Sequence, residues 1–276
     1  MTLQEALLQG TRLLEEASIA SPRLTAEVLL CHAMRQERPF LYAHCERELL
    51  EVEWIHYGRY LHERLKGKPT QYITGRQEFY GREFRVTPDV LIPRPETELV
   101  VETALSVMPG ARRIVDIGCG SGAIAITLRL ETQAPVCGTD ISAAALAVAA
   151  NNARGLRAPV EFVQCDLASA IADASADVIV SNPPYVPLGD RTGLQREVRD
   201  YEPDVALFAG PTGFEIYQRL VTDASRVLRS GGWIVIELGY NSRDRVVGML
   251  GTGWRNVRVE PDLAGIPRVL VAQWER

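Results

Sequence analysis

Asn182-Pro183-Pro184-Tyr185 brings together an amide side chain, two prolines of fixed φ and an aromatic ring, directly after the apolar run Ala176 to Val180. Residues of these types can hold a planar –NH2 group by both of its hydrogens. Asn182 supplies a side-chain carbonyl, and Pro183 supplies a backbone carbonyl turned by the restricted backbone of the two prolines. Tyr185 offers a flat face on which a planar group stacks. An amide or exocyclic amino nitrogen is a poor nucleophile because its lone pair is delocalised. Two acceptors would fix its orientation and favour positive charge as it builds on nitrogen. No strong base is needed, because an alkylated nitrogen becomes acidic and loses its proton afterwards. Taken alone, the same four residues also make an ordinary proline-stiffened turn with an asparagine cap.

A second segment, Val115-Asp116-Ile117-Gly118-Cys119-Gly120-Ser121-Gly122, runs a strand into a glycine-rich turn that opens a helix at Ala123 to Leu128. Such a turn lets backbone N–H groups approach a nucleotide-like ligand. The next strand, Ala134 to Asp140, ends in an acid about twenty residues after the glycines, where dinucleotide-type folds place a ribose-binding carboxylate. The plainer role for Asp140 is to cap the helix that starts near Ile141. Together the two segments imply transfer of a methyl group from S-adenosylmethionine to a planar nitrogen.

These residues need a sheet to position them. Candidate strands at Arg113 to Ile117, Val136 to Asp140, Val160 to Cys165, Asp177 to Ser181 and Trp233 to Leu238 alternate with helical stretches. That pattern predicts a mostly parallel sheet covered on both faces. Trp254 to Glu260 and Arg268 to Trp274 are expected to add an antiparallel pair at its end. Gly118 to Gly122, Asp140, Asp166 and Asn182 then all fall at carboxyl ends of strands, the ligand-binding edge of such a sheet. Upstream, the first seventy or so residues carry helical periodicity, with further helical pieces at Glu46 to Glu53 and Trp54 to Leu65. From Tyr72 to Val90, short aromatic and β-branched stretches broken by Gly75, Gly81 and Pro88 predict a β-hairpin linker. The expected organisation is a helical domain over 1–70, a hairpin over 71–92 and an α/β domain over 93–276.

The 276 residues are 46% hydrophobic and 24% charged, the make-up of a globular protein, with a formal net charge of −5 that argues against a broad nucleic-acid-binding surface. No apolar run reaches membrane-spanning length, and the start, Met1 to Leu8, lacks secretory or transit character, so a cytoplasmic location is expected. Five cysteines without zinc spacing predict neither a disulfide framework nor a metal site. The four histidines all lie in the first quarter of the chain, which argues against a histidine-based triad or metal site at the candidate site.

The chain resembles the protein-(glutamine-N5) methyltransferases of the HemK or PrmC family, which modify peptide chain release factors. The resemblance rests on Gln71-Tyr72-Ile73-Thr74-Gly75, Glu78-Phe79-Tyr80-Gly81, Leu91-Ile92-Pro93-Arg94-Pro95-Glu96-Thr97-Glu98, the glycine turn and Asn182 to Tyr185. The stretch from Ile92 to Glu98 discriminates most, because the Asn-Pro-Pro-Tyr segment is shared with DNA adenine methyltransferases. Read without the resemblance, it is a helix start with Pro95 near the first turn. The resemblance implies a Rossmann-like class I methyltransferase domain, preceded by the helical domain and the hairpin. It implies that Gly118, Cys119, Gly120, Ser121 and Gly122 cradle the methionyl part of S-adenosylmethionine and that Asp140 bonds its ribose. Asp166 and Leu167 would lie near the adenine, and Asn182, Pro183, Pro184 and Tyr185 would hold the glutamine of a Gly-Gly-Gln loop. Asn182, Pro183 and Tyr185 would act in catalysis, with Asn182 also near the cofactor. The helical domain would help to engage the release factor. The alternative is an adenine-N6 methyltransferase acting on nucleic acid, which would need a basic surface and a flipped base.

Overall fold

The structure, a computed structural model, describes residues 1–107 and 110–276. It divides into two compact units: Met1–Arg76 together with Gln195–Tyr201, and Gln77–Leu194 together with Glu202–Arg276.

The first unit is helical: α1 (Leu3–Glu16), α2 (Pro22–Met34), α3 (Arg38–Ala43), α4 (Glu51–Leu65) and α5 (Thr70–Thr74). Thr2 and Glu5 form a capping box that starts α1, and Pro22 at the first turn starts α2. Their apolar stripes meet those of α4 around Leu14, Leu29, Leu30, Tyr57 and Leu61. Helix was expected over Glu46 to Glu53, but α4 begins at Glu51. The residues before it form a turn and a short non-helical stretch that satisfy the free N–H groups at the start of α1: Leu3 donates to the Arg47 carbonyl and Gln4 to that of Cys45. Leu49 returns a bond to the Met1 carbonyl. The β texture expected from Tyr72 also starts later, since Thr70–Thr74 forms a short helix closed by Gly75 at φ +75°.

A hairpin follows, β1 (Arg76–Phe79) and β2 (Arg82–Arg85), whose two turn residues, Tyr80 and Gly81, both have positive φ. That is the twist a two-residue hairpin turn needs. The second unit then supplies α6 (Glu98–Val107), β3 (Ile114–Ile117), α7 (Ala123–Thr132), β4 (Val136–Asp140), α8 (Ala143–Gly155), β5 (Glu161–Gln164) and β6 (Ala176–Ser181). Two short strands, β7 (Val186–Pro187) and β8 (Phe208–Gly210), pair with each other. Between them lie α9 (Arg196–Tyr201), which clusters with the helical unit, and α10 (Asp204–Leu207). The chain ends with α11 (Glu215–Val227), β9 (Leu228–Glu237), α12 (Arg243–Val247), β10 (Trp254–Pro261) and β11 (Pro267–Trp274).

Seven strands form one sheet in the order β10-β11-β9-β6-β3-β4-β5. The pairs from β9 through β5 are parallel, and β10 and β11 are antiparallel, as the sequence predicts. Alternation along the strands feeds two cores. Ile114, Val178, Val180 and Val235 pack with α6 and α7, whereas Val115, Ile179, Ile234 and Ile236 pack with α11. β9 starts earlier than expected, at Leu228, and its pairing with β6 shifts register between Ala176 and Val178, next to the Gly231-Gly232 pair. Chain order reverses at β3, which has β4 on one side and β6 on the other. An open parallel sheet forms a crevice at that point, beyond the strand ends. Among the described residues, no helix is long and apolar enough to cross a membrane.

Candidate active site

The crevice is a cleft lined by the turn after β3, the ends of β4 and β6, and the loop before α6. Gly118 and Gly120 have φ of +73° and +52°, and nothing lies within 4 Å of where a Cβ would stand on either. A side chain there would be strained and would fill the cleft floor. Gly122 serves packing instead, since a Cβ on it would meet Ile126 at 2.9 Å and Ala149 at 3.2 Å.

The sequence reading expected the turn's N–H groups to face a ligand. The structure uses them internally. Gly118 and Cys119 both donate to the Thr139 carbonyl at 2.8 Å, Gly120 donates to Asp140 Oδ2 at 2.9 Å, and Gly122 donates to the Cys119 carbonyl. What the turn contributes to the cleft is room beside an acid. Asp140 is therefore held by the turn it faces, and its Oδ1 accepts from the Ser142 N–H at 2.9 Å. Ser142, not Asp140, caps α8, by accepting from Ala145. Asp116, one strand over, is fully buried: Oδ2 accepts from Ala125, and Oδ1 has no partner among the described residues. Burial, with the Asp140 charge adding to it, pushes its carboxyl up to about 7 against the pull of the Ala125 bond.

Of the residues singled out from sequence, Gly118, Cys119, Gly120, Ser121, Asp140, Asp166, Leu167, Asn182 and Pro184 line this one cleft. Asp166 is ion-paired to Arg219 at 2.6 Å, and Leu167 has a left-handed backbone, φ +49°. Pro183 is buried. Tyr185 lies elsewhere: its ring is packed on Gly239, where a Cβ would come within 2.8 Å of it, and it borders a second groove with Phe214 and Tyr240. Burial raises its phenol to about 12, so the ring stays neutral.

Asn182 follows β6 directly, and the end of that strand is tied to β3 by Ser181 Oγ, which donates to the Ile117 carbonyl at 2.7 Å. Its Nδ2 donates to Thr97 Oγ1 at 3.0 Å, and Thr97 donates to Glu237 Oε2 at 2.6 Å. Thr97 sits in the short 3-10 turn Pro95–Thr97, before α6. The extended stretch ahead of that turn is fixed by buried Glu202, which accepts from the Ile92 N–H and pairs with Arg94. Sequence reasoning quoted Thr97 only within a motif and did not reach Glu237, Glu202 or Asn152. The Asn152 side chain clamps the N–H and carbonyl of Arg85 and also donates to the Ser121 carbonyl, joining the hairpin to the glycine turn. An asparagine inside a helix carries no local sign of such a role. Near the end of the chain, Asp262 pairs with Arg268 at 3.1 Å.

A doubly wound sheet with a glycine turn, an acid after the second strand and Asn-Pro-Pro-Tyr after the fourth defines a methyltransferase. Residues 96–195 match the methyltransferase small domain, and residues 5–75 match the PrmC N-terminal domain. A solved Thermus thermophilus 16S rRNA methyltransferase in complex with AdoMet and guanosine aligns with a TM-score of 0.52 at 21% identity, over 73% of this chain and 50% of that one. At that identity the likeness speaks for the fold alone. Two curated relatives extend it over nearly the whole chain. A release factor glutamine methyltransferase from Koribacter versatilis is 45% identical over 99% of both chains, and one from Nitratidesulfovibrio vulgaris is 42% identical over 99% of this chain and 95% of that one. The chain belongs to the release factor glutamine methyltransferase family.

Proposed function

We propose that the protein transfers a methyl group from S-adenosylmethionine to the side-chain amide nitrogen of the glutamine in the Gly-Gly-Gln loop of a peptide chain release factor. The observation that carries this reading is the single cleft shared by Gly118, Gly120, Asp140 and Asn182. A nucleoside cofactor suits these residues. The open floor over Gly118 and Gly120 admits it closely, Asp140 retains lone pairs for ribose hydroxyls, and Asp166 and Leu167 border the far side for the adenine. When bound, S-adenosylmethionine supplies the methyl as an electrophilic sulfonium substituent.

The chain's own residues then have to aim a weak nucleophile. Asn182 keeps its NH2 end on Thr97, which leaves its carbonyl for one N–H of the target amide. The Pro183 carbonyl takes the other. Held at both hydrogens, the amide can turn its lone pair toward the methyl group, and the two acceptors stabilise positive charge at nitrogen. The methylated nitrogen releases its extra proton without a dedicated base. The helical unit, matched by its own family domain, is assigned to engaging the body of the release factor. The location follows the substrate, the cytoplasm.

The test is incubation of the full chain with labelled S-adenosylmethionine and either intact release factor or duplex DNA, followed by peptide mapping. Label on the Gly-Gly-Gln glutamine is the expected result. Label on adenine alone would overturn the reading.

A further inference from the structure

We propose that Thr97 and Glu237 are positioning residues that determine which end of the Asn182 side-chain amide faces the substrate. The proposal rests on the reading of Asn182 as an acceptor for the target amide. Three groups form a chain: Asn182 Nδ2 to Thr97 Oγ1 at 3.0 Å, then Thr97 Oγ1 to Glu237 Oε2 at 2.6 Å. Thr97 and Glu237 are only 4% and 2% exposed, so water does not substitute for either partner. A hydroxyl has one proton to give, and an ionised carboxylate has none. While Glu237 is ionised, the Thr97 proton is committed to it, and the Thr97 oxygen can only accept. Only the NH2 end of Asn182 can then point at Thr97, and the carbonyl end is left for the cleft. Protonated Glu237 could instead donate to Thr97, freeing the threonine proton for the Asn182 carbonyl. The amide would then turn over and present a donor to the donor NH2 of the substrate. The polarity of the chain, and not merely its presence, decides whether Asn182 is useful.

Glu237 is faced by Arg268 from β11, by Arg94 and Glu96 from the loop before α6, and by Tyr185 after β6. From α11, the Tyr217 hydroxyl donates to the backbone carbonyl of Glu237 itself. Burial pushes the Glu237 carboxyl up to about 7, with Glu96 adding to it, against the Thr97 hydrogen bond and the charges of Arg268 and Arg94. The sign follows. Above about pH 7 the carboxylate holds the chain in its working polarity, and as pH falls through 7 the methylation rate falls with it.

Single-turnover methylation of intact release factor at saturating cofactor, measured from pH 5.5 to 8.5, tests this with three variants. Thr97→Val removes the link and should lower the rate about 10- to 100-fold through misorientation, with the acid limb near pH 7 lost. Thr97→Ser restores the hydroxyl and should recover most of the loss. Glu237→Gln still offers an acceptor but cannot titrate, so its rate should be lower than wild type and flat across pH 7. A second readout does not require turnover. In protein labelled at asparagine and glutamate side chains, the Asn182 amide NMR signals should shift with the midpoint of the Glu237 carboxyl in wild type, and should stay still in Thr97→Val. A wild-type rate and pH profile in Thr97→Val, or an acid limb surviving in Glu237→Gln, would overturn the proposal. So would Asn182 signals indifferent to Glu237. If wild type fails to methylate release factor at any pH, the functional reading falls, and the NMR titration still decides the polarity chain.

Discussion

Among the described residues, the two buried carboxylates of the helical unit and two of the three in the sheet unit have opposite surroundings. In the helical unit, Glu27 accepts from Arg23 at 2.8 Å, Arg38 at 2.7 Å and the Tyr42 hydroxyl at 2.7 Å. Glu53 takes both arms of Arg47 and the Leu50 N–H. Burial alone would raise both carboxyls, yet these bonds hold them below the usual range. In the sheet unit, Asp116 has, among the described residues, no cation on it and one oxygen without a partner, and Glu237 has a threonine hydroxyl. Both are raised to about 7. The helical unit therefore meets both of its buried carboxylates with arginines, whereas the sheet unit does so only for Glu202, through Arg94. The sheet unit leaves capacity unmatched next to the cleft, as sites arranged for ligands and proton-sensitive steps do.

On that contrast, removing polar groups from the cleft should damage function more than folding, and the reverse should hold in the helical unit. Asn182→Ala carries the largest expected effect. One preorganised contact at the reacting centre is worth about 10²–10³ in rate, so single-turnover methylation should fall by that factor with cofactor affinity much less changed. A near-normal rate would reduce Asn182 to a turn residue.

The pH response of stability comes next. Asp116 and Glu237 bind their protons more tightly in the folded chain than in the unfolded one. Their stabilising contribution is fully present below the ordinary carboxylate pKa and is lost as pH rises through about 7. Glu27 and Glu53 behave oppositely: their contribution is present above that ordinary value and lost as pH falls below it. Asp116→Asn keeps an acceptor for Ala125 but cannot ionise. Urea unfolding should show this variant gaining stability relative to wild type between pH 5 and pH 8. A constant difference would mean that Asp116 does not titrate in that window.

Two substitutions of similar energy then separate the units. Asp140→Ala should weaken S-adenosylmethionine about 10- to 100-fold, the value of about 1.5–3 kcal/mol of hydrogen bonding to a charged group, with the fold retained. Calorimetry giving unchanged affinity would remove Asp140 from the site. Glu53→Ala should instead destabilise the helical unit by about 2 kcal/mol, through loss of the Arg47 pair and the Leu50 bond. Hydrogen exchange would show it as lost protection in α1 and α4, with cofactor affinity unchanged. Altered cofactor affinity in Glu53→Ala would break the division of labour.

The positions of these groups were unequally legible in the sequence. Strand periodicity, the glycine turn and the two prolines after Val180 are local signals, and they located the sheet, Asp140 and Asn182. The polarity chain is not local. Thr97 and Glu237 lie 140 residues apart and meet only because β9 pairs beside β6, a neighbour order that strand patterns do not encode. The same holds for α9, which clusters with the helical unit although the residues flanking it belong to the sheet unit. Arg64, buried in α4, pairs with Glu197 of α9 at 2.6 Å, and neither residue signals the other in sequence. The start of α4 was missed for a related reason. Residues 46–50 have helical composition, but the unsatisfied N–H groups of α1 needed acceptors, and tertiary demand overrode propensity.

The smallest predicted effect tests a buried polar group that the helical unit leaves without a partner. The Tyr57 side chain is fully buried, and its hydroxyl has no hydrogen-bond partner among the described residues. It lies against Gly10 of α1 so closely that a Cβ there would overlap it, which is why that helix position carries glycine. Burial pushes the phenol far above its usual range, so it stays neutral and gains nothing from charge. A buried group with no partner and no charge to place is only a cost. Tyr57→Phe keeps the ring in its packing with Trp54 and removes the buried, unbonded oxygen. Leaving such a group unsatisfied costs about 1–3 kcal/mol, and the small void left behind returns part of that, so the variant should gain about 1 kcal/mol. The gain should appear as slower amide exchange in α1 and α4, with methylation kinetics unchanged. A loss of stability would show that the hydroxyl is bonded, through an internal water.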